Sequence, residues 1–93
     1  MEIKYRLEYL EEVVRKHIPL LSASVRVRIK AAIEERLATD PLRFGKPLQY
    51  SWKGHRRLRV GDWRIIYRVN NNKKVVTIVM IRHRRDIYKR VNI

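Results

Sequence analysis

Ninety-three residues suffice for one small domain, spanning 1–93, and are too few for a nucleotide-binding domain with a second substrate domain. Apolar residues form 45% of the chain, cysteine is absent and no apolar run approaches the ~20 residues of a membrane span, which argues against disorder, disulfide or zinc–thiolate scaffolds, cysteine nucleophiles and a membrane helix. Twenty-three Lys and Arg oppose nine Asp and Glu, a net +14, so polyanions are the expected partners.

Met1-Glu2-Ile3-Lys4 does not open a signal peptide, and a soluble, cytoplasmic protein is expected. Ile3, Tyr5 and Leu7 alternate with Lys4, Arg6 and Glu8, the pattern of a short half-buried strand. From Tyr9 the period lengthens: Leu10, Val13, Val14, His17, Ile18 and Leu21 fall on one helix face, and Pro19 should end or bend that helix. Ser22 and Ser24 are both N-cap candidates for a second helix with Val25, Ile29, Ala32, Ile33 and Leu37 inward, stopped by Thr39-Asp40-Pro41. Residues 42–54 read as a loop. A two-residue period then returns in 55–60 and 63–69, separated by Gly61-Asp62, and Val75 to Ile81 is a continuous apolar run suited to a central strand. The tail 84–91 reads as a short helix or irregular turn. The sum is an α+β domain: an N-terminal strand, a helical hairpin and a three-stranded antiparallel meander, with the helices on one sheet face.

The charge is uneven. Residues 1–42 carry eight basic and seven acidic groups, net +1, whereas residues 43–93 carry fifteen basic groups against Asp62 and Asp86, net +13. Strand alternation turns Leu58, Val60, Trp63, Ile65, Tyr67 and Val69 toward the helices and leaves His55, Arg57, Arg59, Arg64 and Arg68 on the open face. Arg82, His83, Arg84 and Tyr88 follow at the end of the last strand. Arginine suits such a face, because its planar fork binds phosphate bidentately and stacks on bases. Metal-free RNA cleavage needs an aligned 2′-hydroxyl, proton transfer and stabilisation of charge growing on the phosphate. Arginines would supply the last. His83 or His55 could move protons, Tyr88 could donate a hydrogen bond or act as a base, and Tyr88 or Trp52 could stack on an extruded base. His17, on an apolar helix face, reads as structural. Three scattered histidines have no metal-ligand spacing, and neither metal nor cofactor is expected.

Arg57-Leu58-Arg59-Val60-Gly61-Asp62-Trp63-Arg64-Ile65-Ile66-Tyr67-Arg68-Val69, followed by His83-Arg84-Arg85-Asp86-Ile87-Tyr88, resembles the RelE/ParE superfamily of bacterial toxins, particularly its RelE branch. The likeness extends to chain length, the helical hairpin ending at Asp40-Pro41 and the Lys46-Pro47-Leu48 segment. It implies the RelE/ParE-like fold and the activity of a ribosome-dependent endoribonuclease that cuts mRNA and arrests translation. It also implies a cognate antitoxin, with an acidic segment, forming a hetero-oligomer with the toxin. By the same resemblance Arg64 and Arg82 hold the phosphate and Tyr88 stacks on or activates the nucleotide. His83 matches a common family histidine, and His55 and Arg57 fall where family members carry lysines in RNA contact; Arg59 and Arg84, on or beside the same charged face, are expected to bind RNA with them. The second reading is a ParE-like, non-catalytic inhibitor of DNA gyrase, against which the Arg82, His83, Arg84 and Tyr88 set weighs. A third is a plain RNA-binding module without chemistry.

Overall fold

The computed structural model describes residues 3–86. A mixed five-stranded sheet runs in the order β1-β5-β4-β3-β2, built from β1 (Arg6–Tyr9), β2 (Lys46–Pro47), β3 (Arg56–Val60), β4 (Trp63–Asn70) and β5 (Val75–His83). The meander β3-β4-β5 is antiparallel, as its alternation predicts. Two elements go beyond the sequence expectation. The N-terminal strand begins three residues later than its 3–8 alternation suggests and pairs parallel with β5, Arg6 opposite Val75 and Tyr9 opposite Ile78. Within the expected loop, Lys46 and Pro47 pair with Arg57 and Arg56. Proline at this outermost position is tolerated because an edge strand needs only half of its backbone bonds.

Both helices end in turns of changed width. In the first helical segment, residues 11–20, the Ile18 N–H reaches back to the Val13 carbonyl, and Ile18–Leu20 then tightens to a three-residue turn around Pro19. The wide turn brings Val13 and His17 inward and turns Val14 out, 52% exposed, which corrects its place on the apolar stripe. The second helix, α1 (Ala23–Ala32), is capped by Ser22, whose side chain accepts from the Val25 N–H at 3.3 Å. A wide turn, Ile33–Leu37, continues it and buries both of its ends.

The main core lies between these helices and one sheet face. Val13, Ile29, Ile33 and Leu37 meet Leu58, Ile65, Tyr67, Val76, Ile78 and Ile81. Tyr67 is fully buried, and its hydroxyl lies within hydrogen-bond distance of the Pro41 and Phe44 carbonyls at 2.8 and 2.6 Å, tying the 41–45 loop to the sheet. Gly45 is what allows this approach: its φ is +77°, and a Cβ there would collide with the Tyr67 hydroxyl and lie 2.8 Å from the Arg57 carbonyl oxygen. Among the described residues no helix is long and apolar enough to cross a membrane.

Candidate nucleic-acid interface

Three neighbouring strands carry an arginine at the same level. Arg59 of β3 is opposite Arg64 of β4, and Arg64 is opposite Arg82 of β5. Opposed residues hold their Cβ atoms ~5 Å apart, so the three side chains leave the sheet as one row. One level along, Lys46, Arg57, Ile66 and Met80 form the next row by the same registers. This is the face turned away from the helices. Ile66, fully buried yet outside the main core cluster, is its apolar floor.

Arg64 departs from the open, solvated position that alternation suggests: it keeps that face but is only 3% exposed. Its Nη1 donates to the Gly61 and Trp63 carbonyls at 2.9 and 3.0 Å, which fixes the guanidinium against the hairpin end. Its Nε, and the Nε of Arg57 nearby, are buried with no acceptor. A buried donor without a partner is costly, and an arriving anionic oxygen would relieve it. Arg82 is half-buried, with Nη1 3.4 Å from the Ile81 carbonyl oxygen. Among the described residues none of Arg57, Arg59, Arg64 and Arg82 forms an ion pair.

The remaining expected site residues are dispersed. His83 is opposite Trp63 in register and meets its ring edge-on at 5.3 Å, so it shares the row of Val60 and Trp63 on the other side of the strand from Arg82. Its Nδ1 accepts from the Arg85 N–H at 3.3 Å. The expectation that His83 stands beside the arginines is therefore corrected: one residue of strand reverses the side. His55 precedes β3, four residues or ~13 Å along the chain from Arg59, with its ring edge-on to Trp52 at 5.1 Å. Arg84 is drawn to the β3–β4 turn, its N–H donating to the Asp62 carbonyl at 2.8 Å and its Nε 3.7 Å from the Asp62 carboxylate. Tyr88 lies outside the described residues.

One neighbour of this face, Lys46, and one exposed aromatic residue, Tyr50, carry little signal in the sequence. Lys46 joins the Arg57 row through a two-residue strand too short to leave a period. Tyr50, 86% exposed with φ +57°, stands out from the loop before β3; its one signal is an aromatic residue flanked by a loop without apolar spacing. His17 is buried as its apolar face predicts. Its Nδ1 accepts the Ile81 N–H at 3.3 Å, closing a position of β5 beyond its pairing with β1, while Nε2 has no partner. Burial pushes the His17 pKa down, helped by the Arg82 and Lys16 charges and opposed by Glu12. Burial also pushes the Tyr67 hydroxyl up, against a hydrogen bond and charge from Arg56. Among the described residues no group of three or more His, Asp or Glu could hold a metal ion.

Comparison with known proteins agrees with the architecture. The profile of the family described as the ParE toxin of the type II toxin-antitoxin system parDE matches residues 6–88. Toxin RelG of Mycobacterium tuberculosis is 40% identical, over 68% of this chain and 77% of that protein. Among solved structures, a chain of the toxin-antitoxin complex RelBE2 from M. tuberculosis superposes with a TM-score of 0.81 at 24% identity, covering 89% of this chain and 94% of that one. The archaeal RelE–RelB complex from Pyrococcus horikoshii gives 0.65 at 27% identity, with 88% and 97% covered. The isolated Escherichia coli RelE toxin gives 0.69 at 20%, with 94% and 98% covered.

Proposed function

The chain belongs to the RelE/ParE superfamily of toxins of type II toxin-antitoxin systems, and from that premise we propose that it is an mRNA endoribonuclease that arrests translation on the ribosome. The observation that carries this reading is the pair of buried, acceptor-less guanidinium Nε groups, Arg57 and Arg64, on a sheet face where Arg59, Arg64 and Arg82 share one row. Such donors are set in advance for an oxygen that gains negative charge during reaction, where fixed donors act most strongly.

The reaction is a transesterification. The 2′-oxygen attacks the adjacent phosphorus and loses its proton to a base. The bond from phosphorus to the 5′-oxygen breaks, and that oxygen takes up a proton. The products are a 2′,3′-cyclic phosphate and a 5′-hydroxyl, with no metal in the scheme. Arg64 and Arg82 hold the non-bridging oxygens with Arg57 Nε supporting them from the next row, Arg59 tracks the flanking backbone, and Tyr88 positions the nucleotide or transfers a proton. His83, turned toward Trp63, has at most a supporting part. With no strong base among the arginines, alignment of the 2′-hydroxyl falls to the ribosome, which accounts for ribosome dependence. The partner in the resting state is an antitoxin whose acidic segment covers the basic face, in line with the toxin–antitoxin complexes among the structural relatives.

Mapping mRNA 5′ ends on ribosomes after brief induction tests the proposal. Cuts bearing 5′-hydroxyls should appear with the natural chain and vanish with Arg64→Ala, and Tyr88→Phe should reduce them. A folded Arg64→Ala chain that still arrests growth would overturn it. The match to a ParE toxin profile favours one competing reading, inhibition of DNA gyrase without RNA cleavage. Blocked replication with DNA damage, and intact mRNA, would select that reading instead.

A further inference from the structure

The face that carries the arginine row continues toward the opposite end of β4 and hollows into a pocket of about 620 Å³. Arg68 is opposite Thr77 of β5, which is opposite Glu8 of β1, and Asn70 is opposite Val75, which is opposite Arg6. Arg68 follows Arg64 by four residues on one strand, so it projects to the same side ~13 Å away.

The pocket is rich in donors. Arg6, Arg68 and Lys73 bring three positive charges, and Glu8 brings one negative charge, paired with Arg6 at 2.9 Å. Arg68 and Lys73 form no ion pair among the described residues. Two amide oxygens of the turn are already engaged: Asn70 Oδ1 accepts the Lys73 N–H at 3.0 Å, and Asn71 Oδ1 accepts from the Tyr5 hydroxyl at 2.6 Å and from Lys74 Nζ at 3.1 Å. The N–H groups of both amides are left to donate. Two free cations and two amide donors at an open, polar hollow match an anionic oxygen rather than a cation or an apolar ligand.

We propose that this pocket is a second phosphate subsite, which takes the phosphodiester backbone of RNA a few nucleotides from the bond held at the arginine row. The proposal rests on the reading of the chain as an RNA-cleaving toxin. The phosphodiester has two sources, the substrate strand and ribosomal RNA, and the same variant separates them.

The variant is Arg68→Ala with Lys73→Ala, both exposed and outside the core, and its thermal transition should match that of the natural chain. Binding is followed by fluorescence anisotropy with 2′-O-methyl RNA of roughly three and roughly twelve nucleotides, over a salt series, and by co-sedimentation with ribosomes. If the substrate strand is the source, affinity for the longer RNA falls about tenfold and its logarithmic salt slope falls by about 1.4, two contacts at ~0.7 each, while the shorter RNA is unaffected. If ribosomal RNA is the source, only co-sedimentation falls. Unchanged affinity, slope and co-sedimentation would overturn the subsite. The two readings fail separately. Binding that depends on Arg68 and Lys73 without any cleaved ends refutes the nuclease and keeps the subsite. Cleavage that depends on Arg64, with affinity, slope and co-sedimentation all indifferent to Arg68 and Lys73, does the reverse.

Discussion

Two backbone carbonyls, those of Gly61 and Trp63, hold Arg64 from the hairpin that bears it, and a lysine cannot reproduce that grip. Lysine keeps the charge but lacks the planar fork and the buried Nε. Arg64→Lys is therefore expected to fold normally and to lower the cleavage rate on the order of 100-fold, the scale of losing a pre-set oxyanion donor, measured in a ribosome-loaded cleavage assay. His17 makes a prediction about pH. Its folded-state pKa lies below the ordinary value near 6.5, so the folded chain favours the neutral ring that accepts the Ile81 N–H. That contribution is complete above pH 6.5 and is lost as pH falls below it, with a slope of up to about 1.4 kcal/mol per pH unit. Denaturant titrations at pH 7.5 and 5.5 should show the loss, and His17→Gln, which keeps an acceptor but cannot titrate, should flatten it. Equal slopes in both chains would show that His17 is not responsible. At this scale the sequence places Arg64 on the open face by parity but gives no sign of its burial. It misled at His83, where a local cluster of Arg, His and Tyr hides the fact that adjacent strand residues face opposite ways.

The 41–45 loop is joined to the sheet by one shared contact. Removing the Tyr67 hydroxyl should destabilise the fold by about 1–3 kcal/mol by leaving the Pro41 and Phe44 carbonyls without it. Gly45→Ala should cost about 1–3 kcal/mol from its left-handed backbone, plus the displaced hydroxyl. Because both changes act on the same atom, the double variant should be less destabilised than the sum, which equilibrium unfolding of the four chains would reveal. Strict additivity would mean that the two residues do not meet. The meander could be read from its two-residue period and from Gly61-Asp62, and the helices from their apolar spacing and Ser22. The parallel partnership of β1 and β5 could not, since it joins residues some 70 apart with no local mark in either strand. Val14 leaves the apolar stripe for a different reason: a regular period assumes 3.6 residues per turn, and the wide turn between Val13 and Ile18 breaks that phase.

At the scale of the whole molecule, residues 43–93 hold +13, yet among the described residues only Arg84 in that half has a carboxylate within ion-pair reach. Like charges crowded on a sheet oppose the compact state, and any polyanion that binds only the folded chain stabilises it by mass action. A short oligonucleotide or heparin fragment at a hundredfold excess over its Kd should add about 2.7 kcal/mol, a rise in Tm on the order of 10 °C. Replacing Arg57 and Arg59 by alanine should shrink that rise, and high salt should erase much of it. A Tm indifferent to polyanions would remove the argument that the basic face is a binding surface. The row Arg59–Arg64–Arg82 has a temporal consequence as well. Mutual repulsion among neighbouring guanidinium groups is relieved when an anion covers them, so the bare chain should be cut faster in limited proteolysis than the same chain under the proposed acidic cover. Under the proposed function, arrest would then carry its own clock, wearing off through loss of the naked chain even where no fresh inhibitor is made.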